Sequence, residues 1–251
     1  MKSHFKILNG LIIFLLVTAV HAKADNNLVK DMVHFDQVYI PVLAFTSDEK
    51  VKASKVAMAK LVPVWKSFYN RYYTHQGDDS QWKNDFDKVG QYVKTSQDII
   101  QRGTDIKEAH EQLEHVRVVF MQLRERNHID YFVDHLTRFH EPMEKIVLAV
   151  KDKTETTLTD KDINTVKSSL PEAKELWHAV VNSRFDASLY EFNKQQTAKL
   201  HELVDKEKTT LENLQKAITK GNKNEIIKTG LAIKPNFANL FKAFGHFPKM
   251  E

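Results

Sequence analysis

Apolar residues recur at intervals of three and four positions along almost the whole chain, and no stretch alternates as a half-buried strand does. Glycine and proline, which interrupt helices, are sparse at 7 and 6 of 251 residues. Both features are typical of long helices joined by short connections. We therefore predict an all-α fold with helices over 27–45, 48–74, 80–101, 105–126, 129–150, 160–186, 187–219 and 223–243.

Several predicted helix ends carry local signals. Gly103 and Gly221 stand where a left-handed residue would end the preceding helix. Three pairs have the spacing of a capping box, in which an N-terminal side chain and an acid three residues later bond each other's backbone. The pairs are Thr46 with Glu49, Asp105 with Glu108, and Asn222 with Glu225.

Two stretches of the chain resemble each other: SDEKVKASKVAMAKLVPVWKSFYNRY and TDKDINTVKSSLPEAKELWHAVVNSRF. The alignment places Trp65 over Trp177, and further along it places Gly103 over Gly221. We interpret this as an internal duplication with four helices in each copy. The predicted architecture is a tandem pair of up-down helical bundles, 23–127 and 128–251, each with antiparallel neighbours.

The N-terminus has the pattern of a secretory signal peptide. Lys2 and Lys6 form a basic start, an apolar run follows over 11–20, and Val20-His21-Ala22 suits a signal peptidase. We predict cleavage after Ala22, which places the mature protein in the periplasm or outside the cell. An uncleaved N-terminal anchor is the alternative, although a membrane helix needs roughly 20 apolar residues.

Composition excludes several classes of function. With 0 Cys the chain has no disulfide framework, no thiolate nucleophile and no covalently attached haem. Removing Lys2 and Lys6 lowers the formal charge from +4 to +2, with acidic and basic residues interspersed. We therefore predict no nucleic-acid partner. No segment after the signal peptide is long and apolar enough to cross a membrane, so we also predict no membrane span after cleavage.

Helices four and five carry the candidate site. On each helix a buried stripe is edged by a histidine and a glutamate one turn apart, His110 with Glu114 and His140 with Glu144. Antiparallel pairing about a turn near 127 brings the two pairs to the same level, and their edges either face each other or both face away.

If these four side chains converge, they suit a divalent transition metal such as zinc, iron or copper. Two alternatives remain open. The pairs could be structural, with Arg117 neutralising Glu114 as a neighbouring side chain, or His140 oriented by Glu144 could act as a general base. Haem is a further possibility by architectural analogy, because Met32 and His246 are a methionine and a histidine near opposite ends of the chain.

The function predicted from these features is a non-enzymatic, exported helical protein that binds a metal or haem between helices four and five. The alternative is a structural module that binds another exported protein through apolar helix edges such as Val119 and Tyr131. The sequence contains no phosphate-binding glycine loop, nucleophile elbow, zinc-protease motif or calcium loop. It indicates no substrate.

Overall fold

The computed structural model describes residues 26–75 and 79–249. Eight α-helices account for most of them, and no strand occurs within these ranges. The predicted signal peptide lies outside the described residues. In chain order the helices are α1 Asn26–Ser47, α2 Val51–Tyr72, α3 Trp82–Arg102, α4 Ile106–Arg126, α5 Phe132–Val150, α6 Asp160–Asn182, α7 Lys194–Lys220 and α8 Lys223–Lys242.

All eight predicted helices are confirmed, but the predicted direct junction between helices six and seven is wrong. Residues 183–193 form turns instead. Asp186 accepts hydrogen bonds from the backbone of Ser188 and Leu189, at 3.0 and 3.2 Å, which stabilises a turn. The apolar spacing of the sequence continues through this segment, which is why it predicts a helix there. In the structure its aromatic residues face the core from a turn.

The predicted helix ends are correct in part. Gly103 and Gly221 adopt φ values of 77° and 65°, as predicted for left-handed helix ends. The Asn222 side chain accepts a hydrogen bond from the Glu225 backbone N–H at 3.0 Å, which is one of the two bonds of the predicted capping box. The other two capping predictions are wrong. Thr46 lies inside α1 and donates back to the Val42 carbonyl, and Asp105 makes no capping hydrogen bond.

The helices pack as antiparallel hairpins, α1 with α2, α3 with α4, α5 with α6 and α7 with α8. Further contacts of α1 with α4 and of α2 with α3 join the first four helices, here called the N-terminal set. Contacts of α5 with α8 and of α6 with α7 likewise join the last four, the C-terminal set. The two sets meet through α1 with α8 and α4 with α5.

Each set has an aromatic core. The N-terminal set has a connected cluster of buried rings, formed by Phe35, Trp65, Phe68, Phe86 and Phe120. Edge-to-face and offset packing of such rings adds to the burial of their apolar area.

In the C-terminal set Phe139 lies against Trp177, with ring centroids 4.6 Å apart. The Phe139 ring also lies near that of Phe237, with centroids 5.9 Å apart. This core is therefore also aromatic, and it adjoins α8 directly.

A buried ion pair fixes the corner between the sets. Arg124 on α4 donates from Nε and Nη2 to the two carboxylate oxygens of Asp134 on α5, at 2.8 and 2.5 Å. Both side chains are less than 5% exposed. The Arg124 guanidinium also lies over the Tyr131 ring, 4.2 Å from its centroid. Two parallel, charge-assisted hydrogen bonds fix orientation as well as distance.

α1 is tied to the same corner by Asp36. Tyr131 donates its hydroxyl proton to Asp36 Oδ2 at 2.8 Å, and burial raises the pKa of this carboxyl to about 6. Tyr190, from the segment 183–193, accepts the backbone N–H of Phe132 at 3.1 Å. That N–H is one of the donors left free at the start of α5, so the turn segment satisfies it.

The chain after α8 crosses back to α1 at a proline. Pro41 lies inside α1 and cannot donate to the carbonyl of Gln37, four residues earlier. The backbone N–H of His246 donates to this carbonyl instead, at 2.7 Å. Gly245 permits the approach, because a Cβ there would lie 2.9 Å from Ile40 Cγ2. The tail therefore fastens the C-terminal set to α1.

Two residues proposed above as an exposed binding edge are not exposed. Val119 is 8% exposed and Tyr131 is 2% exposed. Tyr131 serves the corner network and Val119 belongs to the apolar core. Within the described ranges, no helix combines the length and hydropathy needed to cross a membrane.

We expect Asp134→Asn to lower the free energy of unfolding by roughly 3–5 kcal/mol, because it leaves the Arg124 charge buried without its main partner. Asp98→Asn, which removes an exposed ion pair with Lys94, should cost less than about 1 kcal/mol. Urea denaturation of both variants measures the difference. Equal losses would contradict a structural role for the corner pair.

Glu207 is an isolated acid in the C-terminal set. It is fully buried, and neither carboxylate oxygen has a hydrogen-bond partner among the described residues. The Asn236 amide, which lowers the pKa of Glu207 by less than burial raises it, donates to Thr210 Oγ1 at 2.9 Å. Burial raises the pKa of Glu207 from the ordinary 4.5 to about 8. The side chain is therefore protonated in the folded protein at neutral pH.

Glu207 should make the protein less stable as the pH rises. Between the unfolded pKa of 4.5 and the folded pKa of about 8, only the folded state holds the proton, so stability falls across this window and levels off above it. We expect Glu207→Gln to remove a loss on the order of a few kcal/mol between pH 5 and pH 8. Urea denaturation at several pH values tests this against Glu212→Gln, an exposed change on the same helix that should leave the loss in place.

Candidate functional site

A cavity of about 350 Å³ lies where α1, α4, α5 and α8 meet, between the two helix sets. Its size is at the lower end of the range for small-molecule sites. The wall combines charged, imidazole and apolar groups. The polar lining residues include His110, Glu114, Arg117, His140, Lys234, Lys242 and Asp48.

The buried stripes of α4 and α5 position the histidines. Ile106, Ala109, Leu113 and Val116 are all buried, as the sequence predicts, which leaves His110, Glu114 and Arg117 along one edge of α4. Tyr39 of α1 donates to the Leu113 carbonyl at 2.6 Å and fixes α4 against α1 at this level.

On α5 the residues Leu136, Phe139, Met143 and Ile146 are fully buried. His140 follows Phe139 at the edge of this stripe, where it faces the cavity.

Three of the four predicted metal ligands, His110, Glu114 and His140, line this cavity together with Arg117. Of the two orientations that the sequence left open, the α4 and α5 edges therefore adopt the facing one. Glu144 differs, because it is not part of the cavity wall. Both of its oxygens accept from Lys234 Nζ at 3.1 Å.

His110 is held at its Nδ1 side by α1. Nδ1 lies 3.2 Å from the Leu43 carbonyl oxygen and 3.4 Å from Thr46 Oγ1. Because a carbonyl oxygen can only accept, this contact assigns the proton to Nδ1. Nε2 then points toward Glu114, 3.5 Å from Oε1.

Glu114 is neutralised on its own helix. Its Oε2 forms a close ion pair with Arg117 Nη2, as the structural alternative predicts. Arg117 is only 6% exposed, and its Nε is buried without a hydrogen-bond partner among the described residues. The guanidinium lies 5.7 Å from the Phe241 ring centroid. The arginine is therefore a buried cation with donor capacity left over.

His140 is an uncharged imidazole. Burial, followed by the positive charges of Arg117 and Lys234 and by His110, lowers its pKa from 6.5 to about 2. Its ring lies beside Phe237, with centroids 5.7 Å apart. An imidazole with so low a pKa is a weak base near neutral pH. Glu144 bonds Lys234, so the predicted orientation of His140 by Glu144 is wrong.

The donor set does not form a ready metal site. In the ranges 26–75 and 79–249, no group of three or more histidine, aspartate or glutamate residues is placed to hold a metal ion. The physical reason is visible at Glu114, whose carboxylate is already bonded to Arg117. For the haem analogy, Met32 is buried in the core, and neither Met32 nor His246 lines the cavity.

Comparison with protein-family models, with curated proteins and with solved structures gives no significant match to this chain. Functional inference therefore depends on the cavity and on the residues that line it.

We expect the His140 ring to show no protonation step between pH 5 and pH 8, because its folded pKa is about 2. Two-dimensional ¹H–¹⁵N NMR of the imidazole nitrogens would measure this, with His140→Gln identifying the signal. A His140 midpoint near 6.5 would contradict buried, positively charged surroundings for this ring.

Proposed function

We propose that this protein is an exported, non-enzymatic binding protein that holds a small ligand in the cavity between its two helix sets. The observation that carries the proposal is the cavity itself. Helices from both ends of the chain contribute to its wall, and they place a buried arginine and two histidines beside apolar side chains. Few, well-placed polar groups within an apolar wall are typical of small-molecule sites.

The proposal includes the tandem architecture predicted from the sequence. The regions 23–127 and 128–251 would be two four-helix repeats, and the N-terminal segment 1–22 would direct export to the periplasm. In support, the aligned tryptophans Trp65 and Trp177 are both buried on the second helix of their set. A ligand at the junction would then bind both repeats at once.

A non-enzymatic role fits the side chains of the cavity. His140 is too weak a base to accept a proton readily at neutral pH. Glu114 is committed to Arg117, and Glu144 to Lys234. These pairs hold charges in place rather than leaving an acid or base free to react.

Metal binding remains a second candidate, because His110, Glu114 and His140 line one cavity. Zinc, iron or copper would require Arg117 to release the Glu114 carboxylate, since a metal ligand must offer its lone pairs to the ion. The two candidates differ in what a purified sample would contain.

Native mass spectrometry tests the cavity as a binding site. Ala238 lies in the cavity wall, so Ala238→Leu should fill part of the space and lower the retained or added ligand at least about tenfold. Ala198→Leu makes the same change at an exposed site on α7 and should leave ligand binding unchanged.

Elemental analysis of protein purified without chelators or metal-binding tags separates the candidates. A bound organic ligand that native mass spectrometry detects in the unmodified protein, and not in Ala238→Leu, supports the proposed function. One equivalent of zinc, iron or copper that is lost in His110→Gln with His140→Gln supports the metal candidate. A chain that retains no occupant and takes up none would contradict both.

A further inference from the structure

We propose that the ligand of this cavity is a small organic monocarboxylate with an apolar body, anchored by Arg117. The inference rests on the proposed binding function and names the chemical class that the cavity would select. Its basis is the balance of donors, charges and apolar surface around one buried guanidinium.

Arg117 sets the requirement for an acceptor. A guanidinium has five N–H donors and no acceptor. Arg117 lines the cavity, and its Nη2 pairs with Glu114, which leaves further donors of the guanidinium outside that ion pair. A ligand that complements the unused donors must bring oxygen lone pairs, and a carboxylate matches the planar fork of arginine.

The carboxylates at the cavity are already neutralised, which disfavours a cationic ligand. Glu114 pairs with Arg117, and Glu144 pairs with Lys234. Asp48 lies 3.0 Å from Lys50 and 3.7 Å from Lys242. A bound amine or metal cation would have to displace one of these partners before it found a free acid.

The charge balance favours a single negative charge. Four cations, Arg117, Lys234, Lys242 and Lys50, stand against three carboxylates at and beside the cavity wall. The excess of one positive charge matches a monocarboxylate. A phosphate dianion carries one negative charge more than this excess, and Glu114 and Asp48 would repel it more strongly.

The remaining wall suits an apolar body. Leu43, Met143, Phe237 and Phe241 line the cavity beside the charged groups. Phe241 also lies under the Arg117 guanidinium, so the anchor and the apolar wall are adjacent. A ligand with a carboxylate at one end and a short hydrocarbon at the other would contact both.

Isothermal titration calorimetry with four eight-carbon probes tests the class. The probes are octanoate, octanamide, octylamine and octyl phosphate at pH 7. We expect octanoate to bind one site per chain and octanamide to bind at least about tenfold more weakly, since the amide carries no charge to meet the guanidinium. Octylamine should not bind, and octyl phosphate should bind more weakly than octanoate.

Three variants place the binding at this cavity. Glu114→Gln with Arg117→Gln removes the pair without leaving a lone buried charge, and it should weaken octanoate binding at least about tenfold. Lys234→Gln should weaken it several-fold. Lys228→Gln, an exposed lysine on the same helix, is the matched control and should change nothing. Circular dichroism melting establishes that each variant folds.

Several outcomes would overturn the inference. Equal affinity for octanoate and octanamide, or tighter octylamine or octyl phosphate binding, contradicts a monocarboxylate. Octanoate binding that survives both the double variant and Ala238→Leu places the site elsewhere. A chain that retains a different occupant but refuses octanoate refutes the ligand class and leaves the binding function intact. A chain that retains and binds nothing refutes both.

Discussion

The buried pair of Arg124 and Asp134 is the interaction on which the arrangement of the two helix sets depends. It joins the end of α4 to the start of α5, where the chain passes from one set to the other. Removing two charges from water is costly, so the pair is favourable only while its geometry and surroundings are complete. Tyr131 supplies part of those surroundings, with its ring against the guanidinium and its hydroxyl on Asp36. The corner consequently links α1, α4 and α5.

The cavity follows from how the chain leaves this corner. Each of α4 and α5 packs mainly against helices of its own set, so the two diverge from close mutual packing beyond the corner. Arg117 and His110 lie 7 and 14 residues before Arg124, which is about 10 and 20 Å along the helix. There α1 and α8 approach from either side, and the tail that binds the Gln37 carbonyl holds them together. The cavity is the space that these four helices leave unfilled.

Much of this could be predicted from the sequence, because apolar periodicity reports the side of a helix that faces the core. That rule predicted all eight helices and placed His110, Glu114 and His140 on matching edges of α4 and α5, but it left open whether those edges face each other. It could not predict the partner of Glu144, which is Lys234, 90 positions away in sequence. Lys234 lies on α8, and local spacing does not predict which helices α8 packs against. It also misread 183–193, because Phe185 and Tyr190 pack against Phe244 from a turn, with apolar spacing that resembles a helix. The Thr46 capping prediction failed because a threonine in the last turn of a helix can bond backward to a carbonyl as readily as it caps forward.

The presence of Arg117 distinguishes a metal site from an anion site built on the same imidazole and carboxylate groups. Two histidines and a glutamate suit a divalent transition-metal cation when the carboxylate is free, because the imidazole nitrogens and the carboxylate oxygens can then donate their lone pairs to the ion. With a buried guanidinium on that carboxylate, the pair is close to neutral, and the guanidinium keeps N–H donors that Glu114 does not use. An incoming anion adds its lone pairs to those donors without breaking the existing bond, whereas a cation must first separate the pair. His140 responds to the same field, since the charged groups that lower its pKa are cationic. The electrostatics of the cavity therefore favour a ligand of the opposite sign to the one that histidine and glutamate spacing alone would suggest.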